Sequence, residues 1–295
     1  MRDAQPSQTA LMAAAARAAH LVVDGEPFLF RDTLAGPLLG ALADELIGYH
    51  RRFGEHIVLA GTRAQVTSRG GYTERRAAEL AEAGVRRHVV LGAGLDTYAW
   101  RARPGVHVIE VDHPDTQRWK RDLMGAAGLD QPPCLTFVPL DLETGDLPAA
   151  LHATLPATEP AGGADGGADG GERAFVSWLG VTMYLTEEAI EATLAALGRL
   201  PAGSEVVIEY ALPPELRDER GAAFAEFAMG AAADRGEPWL SFFSPGDLAA
   251  LLKRHGLEAA EHVRQADCVD PALWRRADAL RPADACRLVR ATVAP

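Results

Sequence analysis

The run Arg87-His88-Val89-Val90-Leu91 stops abruptly at Gly92-Ala93-Gly94, and this junction constrains the chain more than any other feature. A short, almost continuously apolar run ended by glycine describes a strand buried on both faces, since a strand with one wet face alternates polar and apolar residues. Similar runs recur at residues 106–112, 135–138, 174–179 and 205–210, with helical stretches at 113–127 and 186–200 between them. Strands alternating with helices give a mainly parallel sheet covered on both sides, so the expected fold is α/β, a doubly wound Rossmann-like sheet. Two later runs, residues 257–263 and 287–293, predict further strands at an antiparallel edge.

The chain before the first strand has a different period. Residues 9–19 are Ala-rich with Ser7 or Thr9 as a cap, and residues 38–49 and 73–83 predict two more helices, the last stopped by Gly84. The expectation is one domain over residues 1–295, with a helical cap (1–85) on an α/β core (86–295). Within the core, residues 158–172 repeat Gly-Gly-Ala-Asp without an apolar anchor and read as a flexible surface loop, because such a composition cannot offset its ordering entropy.

A formal charge of -12 with no basic concentration argues against nucleic acid as a partner. No apolar run approaches the ~20 residues that span a bilayer. Arg2 is followed by Asp3 and polar residues, unlike a signal peptide, so a cytoplasmic location without membrane attachment is expected. Cys134, Cys268 and Cys286 form no C-x-x-C pair and the nine His residues no ligand-spaced set, so neither a disulfide framework nor a metal site is predicted.

Gly92 and Gly94 allow a ligand to approach the backbone closely. The third glycine of a dinucleotide fingerprint would fall at Thr97, which does not prepare a pyrophosphate site. The second strand ends in Glu110-Val111-Asp112, and an acid about 20 residues after the glycine turn is placed to bind ribose hydroxyls. After the third strand, Asp141 is positioned either to accept from an adenine amino group, with Leu142 over the ring, or to cap a helix. A nucleoside site without a pyrophosphate site points away from NAD and toward S-adenosylmethionine. Asp96 either orients the ammonium of that cofactor or caps the next helix.

Leu91-Gly92-Ala93-Gly94-Leu95-Asp96-Thr97, Glu110-Val111-Asp112, Asp141-Leu142 and Val181-Thr182-Met183-Tyr184-Leu185 together resemble the leucine carboxyl methyltransferase-like group of class I S-adenosylmethionine-dependent methyltransferases, which includes polyketide O-methyltransferases. The likeness runs from the Ala-rich first helix and Glu26-Pro27-Phe28-Leu29-Phe30 to Val206-Val207-Ile208-Glu209-Tyr210. The resemblance implies that Arg69, just before the helix expected at 73–83, pairs with the cofactor carboxylate, a role suited to a planar guanidinium fork. It further implies that Gly92 and Gly94 form the cofactor turn, that Asp112 holds the ribose, and that Asp141 and Leu142 take the adenine. The chain departs from the group at Leu179, where many members carry an acid, at Tyr98, where Arg is frequent, and at Thr33, where Pro commonly follows an acid.

The activity expected is O-methyl transfer to a carboxylate or hydroxyl of a small metabolite, or to a protein carboxylate. Tyr184, after the fourth strand, is the residue placed nearest the acceptor, as a catalytic candidate. His113 reads as a helix-start residue. The aromatic-rich segment 222–243 and the first helices are expected to cover the cofactor and shape the acceptor pocket, although the segment also suits a dimer face. Two other activities fit parts of the pattern: a nicotinamide-dependent oxidoreductase, opposed by Thr97, and a non-catalytic S-adenosylmethionine-binding module, which Leu179 keeps open.

Overall fold

In the computed structural model, which describes residues 7–154 and 172–295, the apolar runs become β1 (Arg87–Leu91), β2 (His107–Asp112), β3 (Leu135–Pro139), β4 (Ala174–Trp178), β5 (Glu205–Ala211), β6 (Leu257–Arg264) and β7 (Cys286–Val293). They pair in the order β3-β2-β1-β4-β5-β7-β6. The first five strands are parallel, and Val89, Ile109 and Val176 are fully buried. Each such side chain contributes about 1.5–3 kcal/mol on leaving water. β7 runs antiparallel and inserts between β5 and β6, so the antiparallel pair forms one end of the sheet with β6 outermost. A register shift between Ala259 and Glu261, with exposed Glu258 and Glu261, disrupts that edge as a template for further strands.

Chain order reverses between β1 and β4: successive strands lead from β1 outward through β2 to β3, and from β4 outward through β5. The carboxyl ends of β1 and β4 therefore diverge into the crevice where open α/β sheets bind ligands.

The helices are α1 (Gln8–Val23), α2 (Ala35–Leu39), α3 (Ala43–Phe53), α4 (Ile57–Glu82), α5 (Pro114–Ala126), α6 (Leu147–Thr154), α7 (Glu187–Leu197), α8 (Glu219–Asp234) and α9 (Pro245–Arg254). None of them is long and apolar enough to cross a membrane. The Ser7 hydroxyl accepts from Ala10 N at 3.1 Å and caps α1. The helix expected at 38–49 is broken by Gly40 into α2, a 3-10 turn and α3. The helix expected at 73–83 is the last part of α4, which starts 16 residues earlier at Ile57 and includes Arg69. Thr67, Ser68, Gly70 and Gly71 read as a break, yet tertiary contact overrides their low propensity. Phe30 and the Leu29 carbonyl press against the helix where a side chain on Gly70 or Gly71 would stand.

α1 and α4 are joined by a buried arginine. Arg63 donates to both oxygens of Asp24 at 2.8 and 2.9 Å and to the Gly54 carbonyl at 2.9 Å, while Asp24 also contacts His20 Nδ1 at 2.9 Å. A charge taken out of water needs this degree of satisfaction. The helical prelude is thereby held over the glycine turn at the end of β1. The expected loop at 158–172 falls, apart from its last residue, outside the described residues.

Candidate functional site

Gly92 and Gly94 both have positive φ, 63° and 52°. A side chain at Gly92 would collide with Val181, and one at Gly94 would stand 2.9 Å from Ala10 Cβ. The turn is thus pressed between the loop after β4 and the small-residue face of α1, and glycine fits there both sterically and conformationally. No α-helix follows. Asp96 Oδ1 accepts from Tyr98 N at 2.7 Å, two residues on, where a single 3-10 turn, Tyr98–Trp100, begins. This takes away the helix N-terminus on which a dinucleotide pyrophosphate would rest. Thr97 is also committed: its hydroxyl donates to Asp32 Oδ1 at 2.7 Å.

Asp32 gathers this corner. It accepts from Arg17 Nε at 2.8 Å, Arg101 Nη1 at 3.1 Å and the backbone of Leu34 and Ala35, while Arg17 Nη2 reaches the Leu95 carbonyl at 2.6 Å. Burial pushes the Asp32 carboxyl up, but the two guanidiniums and the Thr97 hydroxyl outweigh it and hold the group below its ordinary range.

Asp112 closes the other side. Its two oxygens accept from the N–H groups of Gly94 and His113, the latter at 2.6 Å, so the carboxylate fixes the glycine turn as well as facing the crevice. Burial raises its pKa, with the two N–H groups and Lys120 working against the rise. His113 accepts from Asp115 N and caps α5, as its position suggested. Behind Asp112, Glu110 and Lys120 form a buried pair at 2.5 Å, and burial lifts Glu110 to about 7. Asp141 accepts from Glu143 N at 3.0 Å and from the Thr144 hydroxyl at 3.3 Å, closing a turn before α6, while Leu142 packs on the main core.

On α4, Arg69 pairs with Glu209 of β5, whose other oxygen accepts from Gln65 at 2.9 Å. Gly180 lies against the guanidinium, where a Cβ would approach Nη2 to 2.6 Å. Leu179 packs partly buried against apolar neighbours. Tyr184 ends a 3-10 turn after β4. Burial pushes its phenol up to about 12, and the Trp239 indole and Thr9 lie beside it.

One cavity of about 920 Å³ is lined by Arg69, Gly92, Gly94, Asp96, Asp112, Asp141, Leu142 and Tyr184 alike. All eight residues singled out from the sequence therefore share one space. Helices α1, α3, α4 and α8 and the segment from Arg235 to Leu240 complete its wall. Thr9 N donates to Glu237 at 2.9 Å and Leu240 N to the Met183 carbonyl at 2.6 Å, tying that segment across the opening.

Several residues in and around this cavity escaped the sequence reading: Glu209, Gln65, Asp32, Arg17, His88 and Glu237. Glu209 carried a signal, an acid inside an otherwise apolar strand. The others become visible only when the cap is folded onto the sheet.

The profile of the leucine carboxyl methyltransferase family matches residues 10–198. A Bacillus subtilis (strain 168) protein, provisionally named S-adenosyl-L-methionine-dependent methyltransferase YktD, is 28% identical over 304 residues that cover 95% of each chain. A Mycolicibacterium smegmatis (strain ATCC 700084 / mc(2)155) protein with the same provisional activity is 31% identical over 220 residues, 70% of this chain and 67% of its own. A solved structure described provisionally as a methyltransferase from Thermobifida fusca YX has a similar fold, with a TM-score of 0.59 at 15% identity over 100% of this chain and 97% of that one.

Proposed function

From a chain that belongs to the leucine carboxyl methyltransferase family and is therefore an S-adenosylmethionine-dependent methyltransferase, we propose that the methyl group goes to an oxygen, a carboxylate or hydroxyl, of a small molecule held under the helical cap. The single observation that carries this reading is the convergence of the eight residues on one cavity whose remaining wall is largely apolar, including Leu46, Tyr49, Val58, Leu59, Ala228 and Leu240. Small-molecule sites are built this way, with a few placed polar groups in an apolar enclosure.

The donor set fits the cofactor. In this reading Arg69, steadied by Glu209, takes the carboxylate; Asp112 takes the ribose hydroxyls; Asp141 and Leu142 flank the adenine; and the glycine turn leaves room for the chain between them. When bound, the cofactor supplies a methyl group activated by a sulfonium. The protein's task is then to align the acceptor oxygen and exclude water. Tyr184, a phenol whose pKa burial lifts further to about 12, is protonated at neutral pH, so it orients the acceptor oxygen by donating and does not serve as a base. A carboxylate acceptor arrives ionised. A hydroxyl acceptor needs a base, and Glu237, beside Tyr184, is the carboxylate on that wall.

The test is calorimetric titration with S-adenosylhomocysteine, NAD and NADP in parallel, followed by incubation with methyl-labelled S-adenosylmethionine and a panel of phenols and carboxylic acids. Heat with S-adenosylhomocysteine alone and label recovered in methyl ethers or esters support the proposal. Heat with a nicotinamide nucleotide, or label recovered only on nitrogen or sulfur acceptors, overturns it. Binding without label transfer to any acceptor favours a non-catalytic module.

A further inference from the structure

The face of α4 that lines the cavity reaches from Arg69 back to Val58, about 16 Å along the helix at 1.5 Å per residue. In the proposed function the methyl donor turns at Arg69 toward Asp112 and Asp141, at the ends of β2 and β3. The stretch beside Val58, Leu59 and Thr62 is then left to the acceptor. Its walls are apolar, with Leu46, Tyr49, Phe224 and Ala228 facing α4 across the space. Polar groups on this part of α4 are spent: the Thr62 hydroxyl donates to the Val58 carbonyl at 2.6 Å, and Gln65 donates to Glu209.

His50 of α3 is the exception. It lines the cavity and is 4% exposed. Its Nδ1 lies 3.2 Å from Arg63 Nη1, and a guanidinium only donates, so Nδ1 accepts and the hydrogen of the neutral ring sits on Nε2. Arg63 is itself locked by Asp24 and the Gly54 carbonyl, which fixes the tautomer. Burial, with the Arg63 cation beside it, lowers His50 to about 4, so the ring is neutral at pH 7. Nε2 has no hydrogen-bond partner among the described residues and, unlike Nε2 of His255 and His262, is not sealed from solvent. The ring therefore presents one fixed N–H donor in an otherwise apolar chamber, about 9 Å along α4 from Arg69.

We propose that His50 Nε2–H selects the methyl acceptor, which is an apolar molecule carrying a carbonyl oxygen apart from the oxygen that receives the methyl group. A few placed polar groups in an apolar enclosure set the orientation of a small ligand, and a buried donor discriminates against a molecule that leaves it unpaired. A neutral carbonyl suits this end of the cavity and a carboxylate does not. The cation behind the ring, Arg63, is already neutralised by Asp24, so a second carboxylate would be buried without a counter-charge.

The proposal rests on the donor placement of the proposed function, and the experiment separates the two. Protein saturated with S-adenosylhomocysteine is titrated with 4-hydroxybenzophenone and with 4-benzylphenol, which differ in a carbonyl against a methylene. Wild type binds the ketone about tenfold more tightly, as one buried hydrogen bond provides. His50→Asn keeps an acceptor for Arg63 but is too short to bring a donor to the place of Nε2, and His50→Phe removes both. In each variant the two phenols bind within about twofold of one another, while S-adenosylhomocysteine affinity stays at the wild-type value. His50→Asn remains informative if His50→Phe does not fold. A ketone preference that survives in His50→Asn, or a wild type that binds both phenols equally or neither, overturns the assignment of His50 and leaves the donor placement standing. A wild type that does not bind S-adenosylhomocysteine sinks the donor placement itself, and the assignment of His50 falls with it.

Discussion

Gly180→Ala tests the geometry around Arg69 without touching any atom assigned to the cofactor. Gly180 has φ of 70°, and a Cβ there would lie 2.6 Å from Nη2, 2.8 Å from Nη1 and 3.0 Å from Cζ of Arg69. The left-handed backbone costs a non-glycine residue about 1–2 kcal/mol. The guanidinium is the far end of a flexible side chain and yields, and any shift disturbs its pairing with Glu209, which is 2% exposed and held on its other oxygen by Gln65. Some of that charge-assisted bond, worth about 1.5–3 kcal/mol, is lost as well. The combined destabilisation is about 2–3 kcal/mol, which for a chain of this size lowers Tm by roughly 3–5 °C. The displaced fork no longer meets the cofactor carboxylate in two parallel hydrogen bonds, so S-adenosylhomocysteine binds about tenfold more weakly. Titration with 5′-methylthioadenosine, which lacks the amino-acid end, provides the control and changes less than about twofold. Arg69→Met reproduces the ligand selectivity without the backbone strain. Equal weakening of both ligands by Gly180→Ala, or full retention of S-adenosylhomocysteine affinity, refutes the reasoning.

Asp112→Asn keeps the shape of the side chain but places an amide donor toward one of the N–H groups of Gly94 and His113; S-adenosylhomocysteine affinity falls about 10- to 100-fold, and unchanged calorimetric affinity removes Asp112 from the site. Tyr184→Phe lowers methyl transfer to whichever acceptor is active while the S-adenosylhomocysteine affinity stays constant, and a loss confined to cofactor binding contradicts its placement at the acceptor. Burial lowers His50 from its usual 6.5 to about 4, so between those values the unfolded chain binds more protons than the folded one. The stability contributed by keeping His50 neutral is complete above pH 6.5 and disappears as pH falls through 4. It amounts to roughly 3 kcal/mol over that window. Urea unfolding of wild type and His50→Gln between pH 7 and 4 therefore gives a steeper loss for wild type, and parallel curves contradict the assignment.

The strands of the core were legible because each is a short apolar run ended by turn residues, a pattern with few other physical solutions. The insertion of β7 between β5 and β6 was not, since neighbouring positions in a sheet leave the same period in the sequence. Helix α4 was half hidden by Gly70 and Gly71, whose value lies in the contact they permit with Leu29 and Phe30 and not in local propensity. The glycine turn, Asp112 and Asp141 announced themselves as polar or flexible residues at the carboxyl edges of apolar strands. Arg69 came only through family resemblance, because nothing nearby in sequence pairs with it; Glu209 is 140 residues away. Thr97 was informative twice, first as the residue that breaks a dinucleotide fingerprint and then as the strut that carries Asp32 and the cap onto the turn.

A crystal structure with S-adenosylhomocysteine bound measures most directly where the donor lies. The prediction is a carboxylate on Arg69, ribose hydroxyls on Asp112, adenine between Asp141 and Leu142, and the sulfur facing the wall that bears Tyr184. A ligand that leaves Arg69 and Asp112 without contact, or lies with its adenine toward α8, contradicts it.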